Sequence, residues 1–222
     1  MLFSYSQSLR DDFPELSTGV LHVQSISSVA DVTETAARLT TLATRRIAAG
    51  TEADLPEIQA WRHIFSRMGL KPTQYRCASE SLLRRLRKEG SLLLVLPFVD
   101  LCNATSAAFA IPIAAFDLDR IAGGLVVRRA TGTERYDTFS GEVEHPETGE
   151  VIFADDESRA HARRWTNRQS GYSAVSGETR NVLIVAEAVH GTAEHDVGRL
   201  IASLNESIQK LWPAALVRKA LA

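Results

Sequence analysis

Residues 97–130 read PFVDLCNATSAAFAIPIAAFDLDRIAGGLVVRRA, the most informative stretch of the chain for its fold. It ends in GLVVRRA, residues 124–130, an apolar run after glycine that predicts a buried strand. Asp117 and Asp119 alternate after Phe116, as carboxylates at a cation site can do, but two carboxylates rarely suffice to hold an ion. We therefore expect them to cap a turn or to pair with arginines.

The composition is that of an ordinary globular domain. The chain has 222 residues, of which 45% are hydrophobic and 23% charged, enough for one domain over residues 1–222. It contains no apolar run of about 18 residues and no signal-peptide pattern at its start, which predicts a soluble, cytoplasmic protein without membrane contact. Cys77 and Cys102 are too few for a disulfide framework and are predicted to be reduced structural thiols.

Helical periodicity appears on both sides of residues 97–130. A capping box is predicted at residues 31–34 and a second such signal at residues 54–57, each opening a helix with an apolar stripe. Two further helices are predicted over residues 79–89 and 193–211. Shorter strands are predicted at residues 20–26, 136–139, 151–154 and 181–186. The predicted fold class is α+β, a single domain with a mainly antiparallel central sheet and flanking helices.

Charge is distributed unevenly along the chain. Basic residues dominate residues 61–90, where Lys71, Arg84 and Arg85 are candidates for holding phosphates, although a solvated helix surface explains the charge equally well. Acidic residues dominate residues 134–157, for which a solvated hairpin edge is the plain interpretation. The overall charge therefore does not identify a partner.

The usual catalytic motifs are absent from the sequence. It has no GxSxG, GxxxxGK[ST], HExxH or GxGxxG motif, and its six histidines are scattered without ligand spacing. Two segments are nevertheless more polar than packing requires: KPTQYR, residues 71–76, and RRWTNRQS, residues 163–170. Such residues around a tryptophan suit a pocket for a carboxylate, phosphate or base, or else a surface loop whose arginines pair with the acidic stretch.

The stretch 97–130 resembles the B3/B4 editing domain of the phenylalanyl-tRNA synthetase β chain. The shared features are Asp100, Asn103, Pro112, the run Ala115-Phe116-Asp117 and a strand preceded by Gly123-Gly124. Residues 173–183 resemble a later turn and strand of that family, and KPTQYR and ESLLRR resemble its free-standing members. The resemblance covers about residues 15–210, which is the expected core of the domain.

The resemblance implies a trans-editing aminoacyl-tRNA deacylase, which hydrolyses the ester of a mischarged tRNA without a metal or other cofactor. A non-catalytic protein that binds tRNA, a nucleotide or an amino acid is the alternative. The family's editing histidine falls on Ala114 and its editing glutamate on Val185, which favours the alternative. The implied partner is tRNA rather than DNA, and the sequence does not fix the oligomeric state.

The same resemblance suggests which residues would form a rebuilt site. Asn103 would orient a water or bind the carbonyl, and Ser106, one helical turn on, would face the same side. The other implied contacts are Arg76 and Glu80 at the ester end or ribose, Arg163, Trp165, Asn167, Arg168 and Gln169 on the opposite wall, and Thr179 in the later turn.

Overall fold

The computed structural model describes residues 2–220; Met1 and residues 221–222, the ends of the predicted domain, lie outside the described residues. Helices and mainly antiparallel strands combine in an α+β architecture, as predicted. No helix within residues 2–220 is long and apolar enough to cross a bilayer.

Two of the predicted helices agree closely with the observed ones. The predicted helix at 193–211 is confirmed, and the one at 79–89 begins one residue earlier. Within residues 2–220 the α-helices are α1 (Gln7–Asp12), α2 (Thr33–Arg46), α3 (Pro56–Arg67), α4 (Ala78–Glu89), α5 (Pro97–Phe109) and α6 (Ala193–Leu211).

Both predicted helix starts differ from the observed ones. Asp31 accepts a hydrogen bond from the Thr33 amide at 3.0 Å, but α2 begins at Thr33 after Val32 and no side chain caps it, so the predicted capping box is wrong. The second box lies earlier than predicted, between Thr51 and Asp54, where it caps a short 3-10 turn. Proline then starts α3, since its missing amide costs nothing in a first turn.

The strands form two main sheets rather than the one central sheet that was expected. Strands from the beginning and end of the chain join strands from the middle, which local patterns do not reveal. The strands are β1 (Phe3–Tyr5), β2 (Ser17–Gln24), β3 (Ile113–Asp117), β4 (Leu125–Arg129), β5 (Tyr136–Asp137), β6 (Val143–Glu144), β7 (Val151–Ala154), β8 (Ala160–Arg163), β9 (Arg168–Gln169), β10 (Asn181–Ala188) and β11 (Leu216–Ala220).

One sheet has the order β1-β4-β7-β8-β9, with β1 and β4 parallel and the other pairs antiparallel. The second has the antiparallel order β11-β2-β10-β3. Strands β5 and β6 form a separate two-stranded ribbon.

Strand β10 lies between the two principal apolar clusters, and alternation along it decides which residues face each one. Val182, Ile184 and Ala186 pack in the cluster with α5 and α6. Leu183 and Val185 pack in the cluster that contains the tryptophans of α3 and of the β8–β9 hairpin. Residue 187 continues the second face, so its side chain points toward that hairpin.

Gly19 marks the closest approach of β2 to α6. A Cβ there would lie against Ile201 and 2.8 Å from Val197 Cγ1. We expect Gly19→Ala to destabilise the protein by about 1–3 kcal/mol through overpacking, measured as a loss of thermal stability. Gly198→Ala is the control, because Gly198 is an exposed α6 residue with open space around it, and alanine there should be neutral or stabilising.

Candidate functional site

The β8–β9 hairpin carries a polar turn that rests on the start of α4. Arg164 and Trp165 both adopt left-handed backbone conformations, with φ of 48° and 58°. The Ala78 amide donates to the Thr166 carbonyl at 2.8 Å, and Asn167 Nδ2 donates to the Arg76 carbonyl at 2.7 Å. Two successive left-handed residues other than glycine are strained, and these contacts hold them in place.

A small pocket lies between this turn and the second sheet. Its volume is about 50 Å³, which accommodates one or two water molecules. Four lining residues belong to the second sheet or directly precede it: Pro112, Ile113, Ala114 and Glu187. The first sheet contributes Phe153 and Ala162. The remaining lining residues come from the hairpin and the start of α4: Trp165, Thr166, Asn167, Arg168, Gln169 and Ala78.

Glu187 is the ionisable group at the base of this pocket and is only 2% exposed. Its Oε1 accepts hydrogen bonds from the Tyr5 hydroxyl at 2.6 Å and from Trp165 Nε1 at 2.8 Å. Burial raises the pKa of Glu187 to about 7, although these two donors oppose the shift. A carboxyl group with a pKa near 7 is suited to exchange protons at neutral pH.

Four of the residues predicted for the binding wall line the pocket: Trp165, Asn167, Arg168 and Gln169. Their polar groups are partly committed to the fold. Gln169 Nε2 donates to the Ala115 carbonyl at 2.7 Å, which ties the hairpin to β3. Thr166 adds a buried hydroxyl for which the described residues supply no hydrogen-bond partner. Thr166 and Glu187 are therefore the lining residues whose side chains are best able to hydrogen-bond to a molecule in the pocket.

The two positions matched to the family's editing pair are neighbours in the second sheet. Ala114 pairs in register with Val185 across β3 and β10. Ala114 lines the pocket, whereas Val185 is buried in the core beneath it. Glu187 lies two residues beyond Val185 on the same face of the strand. The pocket therefore contains a carboxyl group close to the position that was matched to the family's editing glutamate.

Arg76 and Glu80 do not line the pocket. Glu80 has no exposed surface and accepts from Arg62 Nη2 at 2.5 Å, while Arg76 Nε lies 3.4 Å from the same carboxylate oxygen. These contacts form an ion-pair cluster beneath the start of α4. Substrate contact by Arg76 or Glu80 stays a prediction.

Arg163 is directed away from the pocket, into the acidic stretch. Its guanidinium donates to both carboxylate oxygens of Glu150, at 2.9 and 2.8 Å, and to Glu144 at 2.6 Å. Arg168 donates to Glu144 as well, at 3.1 Å. Residues 134–157 therefore supply counterions for Arg163 and Arg168, the pairing that the surface-loop alternative expected, although Arg163 is buried rather than on the surface.

The two residues predicted to carry catalysis, Asn103 and Ser106, lie elsewhere, as does Thr179, which was predicted to contact the substrate. Asn103 faces a groove between α2, α5 and the preceding loop, with a volume of about 510 Å³. The Ser106 hydroxyl is buried and donates to the Ile111 carbonyl at 2.7 Å, where it closes the end of α5. Thr179 donates to Asp117 at 2.6 Å and shapes its turn. The structure thus does not bring these three side chains to the hairpin pocket.

The residues predicted to hold phosphates belong to an exposed surface around α4. Lys71 is exposed, Arg84 lies 3.4 Å from Glu52, and Arg85 lies 3.8 Å from Glu89. Acidic partners thus offset part of the positive charge. Phosphate binding by this surface stays a prediction.

A serine, a histidine and an aspartate also meet in the core. His161 Nδ1 lies 2.8 Å from the Ser173 hydroxyl, and His161 Nε2 lies 3.1 Å from Asp155 Oδ2. Ser173 and His161 have no exposed surface, so a substrate cannot reach the hydroxyl. We interpret this chain of contacts as a structural network that joins β8 to the following turn.

Sequence reasoning missed Glu187 because the strand was predicted to end at residue 186. The signal was available in VLIVAEAV, residues 182–189, where one glutamate interrupts an apolar run. A carboxyl group at such a position must be buried, and buried carboxyl groups with altered pKa values are frequent at functional sites.

Comparisons with known proteins identify the family and the fold. The family profile described as the B3/4 domain matches residues 60–209. The phenylalanine–tRNA ligase β subunit of Yersinia pestis is 31% identical over 116 residues, which are 52% of this chain and 14% of that protein. The corresponding subunit of Photorhabdus laumondii is 27% identical over the same shares. The chain thus spans about one seventh of the length of these relatives.

A structural comparison extends the likeness to nearly the whole chain. An N-terminal fragment of the phenylalanyl-tRNA synthetase β subunit from Pyrococcus horikoshii superimposes with a TM-score of 0.52. The match covers 98% of this chain and 50% of the fragment, at 10% identity. At that identity the match speaks for the fold alone.

Proposed function

Because this chain belongs to the B3/4 domain family, we propose that it is an aminoacyl-tRNA deacylase acting in trans, with Glu187 as its base. The substrate would be the ester between an amino acid and the terminal ribose of a mischarged tRNA. The β subunits that the chain resembles are tRNA ligase components, and this supports a tRNA substrate.

One observation carries the proposal: a buried glutamate with a pKa of about 7 faces a pocket the size of a water molecule. Trp165 and Tyr5 both donate to Oε1, which fixes the orientation of the carboxylate. A general base needs a position and a pKa near the working pH, and Glu187 meets both requirements.

In the proposed reaction, ionised Glu187 accepts a proton from a water molecule in the pocket. The water oxygen forms a bond to the ester carbonyl carbon, and the hydroxyl of Thr166, a residue of the pocket lining, would donate to the resulting oxyanion. Collapse of the tetrahedral intermediate breaks the bond to the ribose oxygen, which takes the proton from Glu187. The products are the free amino acid and a tRNA with its terminal hydroxyl restored.

The pocket accommodates the water but not the acyl group. Its volume of about 50 Å³ is far below the 300–1,000 Å³ of typical ligand pockets. The turn at residues 164–167 must therefore move when the ester approaches. The left-handed conformations of Arg164 and Trp165 support this turn as the moving part, because strained backbone is frequent at ligand clamps and switch regions.

Deacylation of a panel of misacylated tRNAs by the purified protein tests the proposal. We expect Glu187→Gln to lower kcat by about 100-fold or more, since a general base contributes about 10²–10⁴-fold. The wild-type rate, corrected for spontaneous hydrolysis, should rise with pH and level off above about 7, where Glu187 is ionised. Glu178→Gln, at an exposed turn residue, is the matched control and should retain the wild-type rate.

Two other outcomes would reject this assignment. A tenfold loss in Asn103→Ala with an unaffected Glu187→Gln would transfer the chemistry to the α2–α5 groove. No turnover on any tRNA, together with measurable tRNA binding, would favour the non-catalytic binding protein. The apolar residues Ala114 and Val185, at the positions matched to the family's editing pair, are the observation that supports this second candidate.

A further inference from the structure

Three potential metal ligands meet at the end of β10, outside the hairpin pocket. A ring nitrogen of His190 and one carboxylate oxygen each of Glu57 and Asp196 lie within 4.8 Å of one another. They come from three parts of the chain: the start of α3, the segment after β10 and the first turn of α6. Their separation along the sequence explains why the spacing of the histidines gave no sign of them.

Two atoms on the side chains of these residues lack the partners that burial normally requires. Glu57 Oε2 and His190 Nδ1 are buried, and within the described part of the chain neither has a hydrogen-bond partner. Both side chains are at least nine-tenths buried, with 10% and 5% of their surface exposed. A buried acceptor without a donor destabilises the folded protein, more so when it is charged, and a cation bound to it would remove that cost.

Neighbouring residues hydrogen-bond to the three candidate ligands and orient them, as residues around a metal site commonly do. Arg46 Nη2 donates to Glu57 Oε1 at 2.6 Å and leaves Oε2 available. Thr192 donates to Asp196 Oδ2 at 2.6 Å, and His190 Nε2 lies 3.0 Å from the same oxygen. Each carboxylate is therefore fixed by a neighbour outside the cluster.

The cluster opens onto a groove that leaves room for further ligands. Glu57 and Asp196 line this groove, whose volume is about 460 Å³. Water can therefore complete the coordination, and an ion has a path of entry. The cysteines do not compete for the ion, because burial raises the pKa of Cys77 and Cys102 to about 12 and thiolate is the form that binds metals.

We propose that Glu57, His190 and Asp196 bind a divalent transition-metal ion of the zinc class. One imidazole and two carboxylates suit such ions, whereas Mg²⁺ and Ca²⁺ prefer oxygen ligands alone. The site is independent of the proposed deacylation, since none of its three residues lines the hairpin pocket.

The test is titration of the chelator-treated full chain with Zn²⁺ and with Co²⁺, followed by calorimetry and by the visible absorption of Co²⁺. We expect one equivalent to bind, and Glu57→Gln and His190→Ala to bind at least tenfold more weakly. His195→Ala is the matched control: His195 is exposed but also contacts Asp196, at 3.3 Å, and this variant should bind like the wild type.

The conservative Glu57→Gln variant retains the size and a hydrogen-bond acceptor of the residue, and circular dichroism confirms its fold before titration. A wild-type protein that binds no stoichiometric Zn²⁺ or Co²⁺ would overturn the proposal. So would folded Glu57→Gln and His190→Ala variants that bind as tightly as the wild type, because the ion would then lie elsewhere.

Discussion

At pH 8 the Glu187→Gln variant should unfold at a higher temperature than the wild-type protein, and at pH 5 most of this difference should be gone. The reason is that burial raises the pKa of Glu187 from its ordinary value of 4.5 to about 7. A difference of that size corresponds to roughly 3 kcal/mol of unfolding free energy. For a chain of this length it is equivalent to about 6–12 °C in Tm.

The direction follows from proton binding in the two states. Between pH 4.5 and 7 the folded protein keeps the Glu187 proton while the unfolded chain releases it, so stability falls as pH rises through this window. Above about pH 7 the loss is complete. Glutamine cannot ionise, yet its carbonyl still accepts from Tyr5 and Trp165, so the variant should not show the loss.

The other shifted carboxyl groups titrate outside this window. Glu134, Asp155 and Asp196 have pKa values lowered to about 2, and their stabilising contribution is lost only as pH falls below about 4.5. Burial lowers the pKa of His22 from its ordinary value of 6.5, within the window, but His22 is present in both proteins. The difference between the wild-type and Glu187→Gln unfolding curves from pH 5 to 8 therefore isolates Glu187, with Glu178→Gln as the control that should follow the wild-type curve. Parallel wild-type and Glu187→Gln curves would show that Glu187 ionises normally, and the proposed base would lose its physical basis.

The sequence was informative where structure depends on local patterns. Helices α4 and α6 and strand β7 lie within one residue of their predicted bounds, because their apolar stripes and flanking breakers are local signals. The family resemblance added support for the fold class, because the stretch that carries it, residues 97–130, contains α5, β3 and β4 in order.

What the sequence could not show depends on contacts between distant segments. Glu187 acquires its raised pKa from burial beneath distant segments of the chain. Its hydrogen-bond donors Tyr5 and Trp165, which oppose the shift, are 182 and 22 residues away. Likewise, nothing near His190 in sequence indicates Glu57, which reaches it only because α3 packs beside the end of β10. The same limit applies to the five residues predicted for the binding wall within 163–169. Four of them line the pocket and Arg163 does not, which the sequence alone could not show.

Replacing Arg163 with methionine should destabilise the protein by about 3–5 kcal/mol, the range measured when one partner of a buried ion pair is removed. Arg163 is 4% exposed and donates hydrogen bonds to both carboxylate oxygens of Glu150, whose side chain is 7% exposed. Burial alone would raise the pKa of Glu150, but the Arg163 contacts hold it below its ordinary value. Methionine would leave that carboxylate buried without its counterion.

Arg168→Met is the matched control. Arg168 belongs to the same hairpin and contacts the same Glu144, at 3.1 Å, but 43% of its side chain is exposed. Exposed ion pairs contribute about 0–1 kcal/mol, so this variant should unfold close to the wild type in urea. The double variant Arg163→Met/Glu150→Met should recover much of the loss, because it removes the stranded charge as well.

The same pair of variants separates a structural role for Arg163 from the substrate contact that the sequence suggested. A structural arginine lowers the unfolding free energy when replaced, whereas an arginine that serves a ligand lowers tRNA affinity and leaves stability nearly unchanged. An Arg163→Met protein that unfolds like the wild type but binds tRNA more weakly would restore the substrate-binding interpretation. The bidentate contact with Glu150, made with almost no access to solvent, is the reason to expect the loss of stability instead.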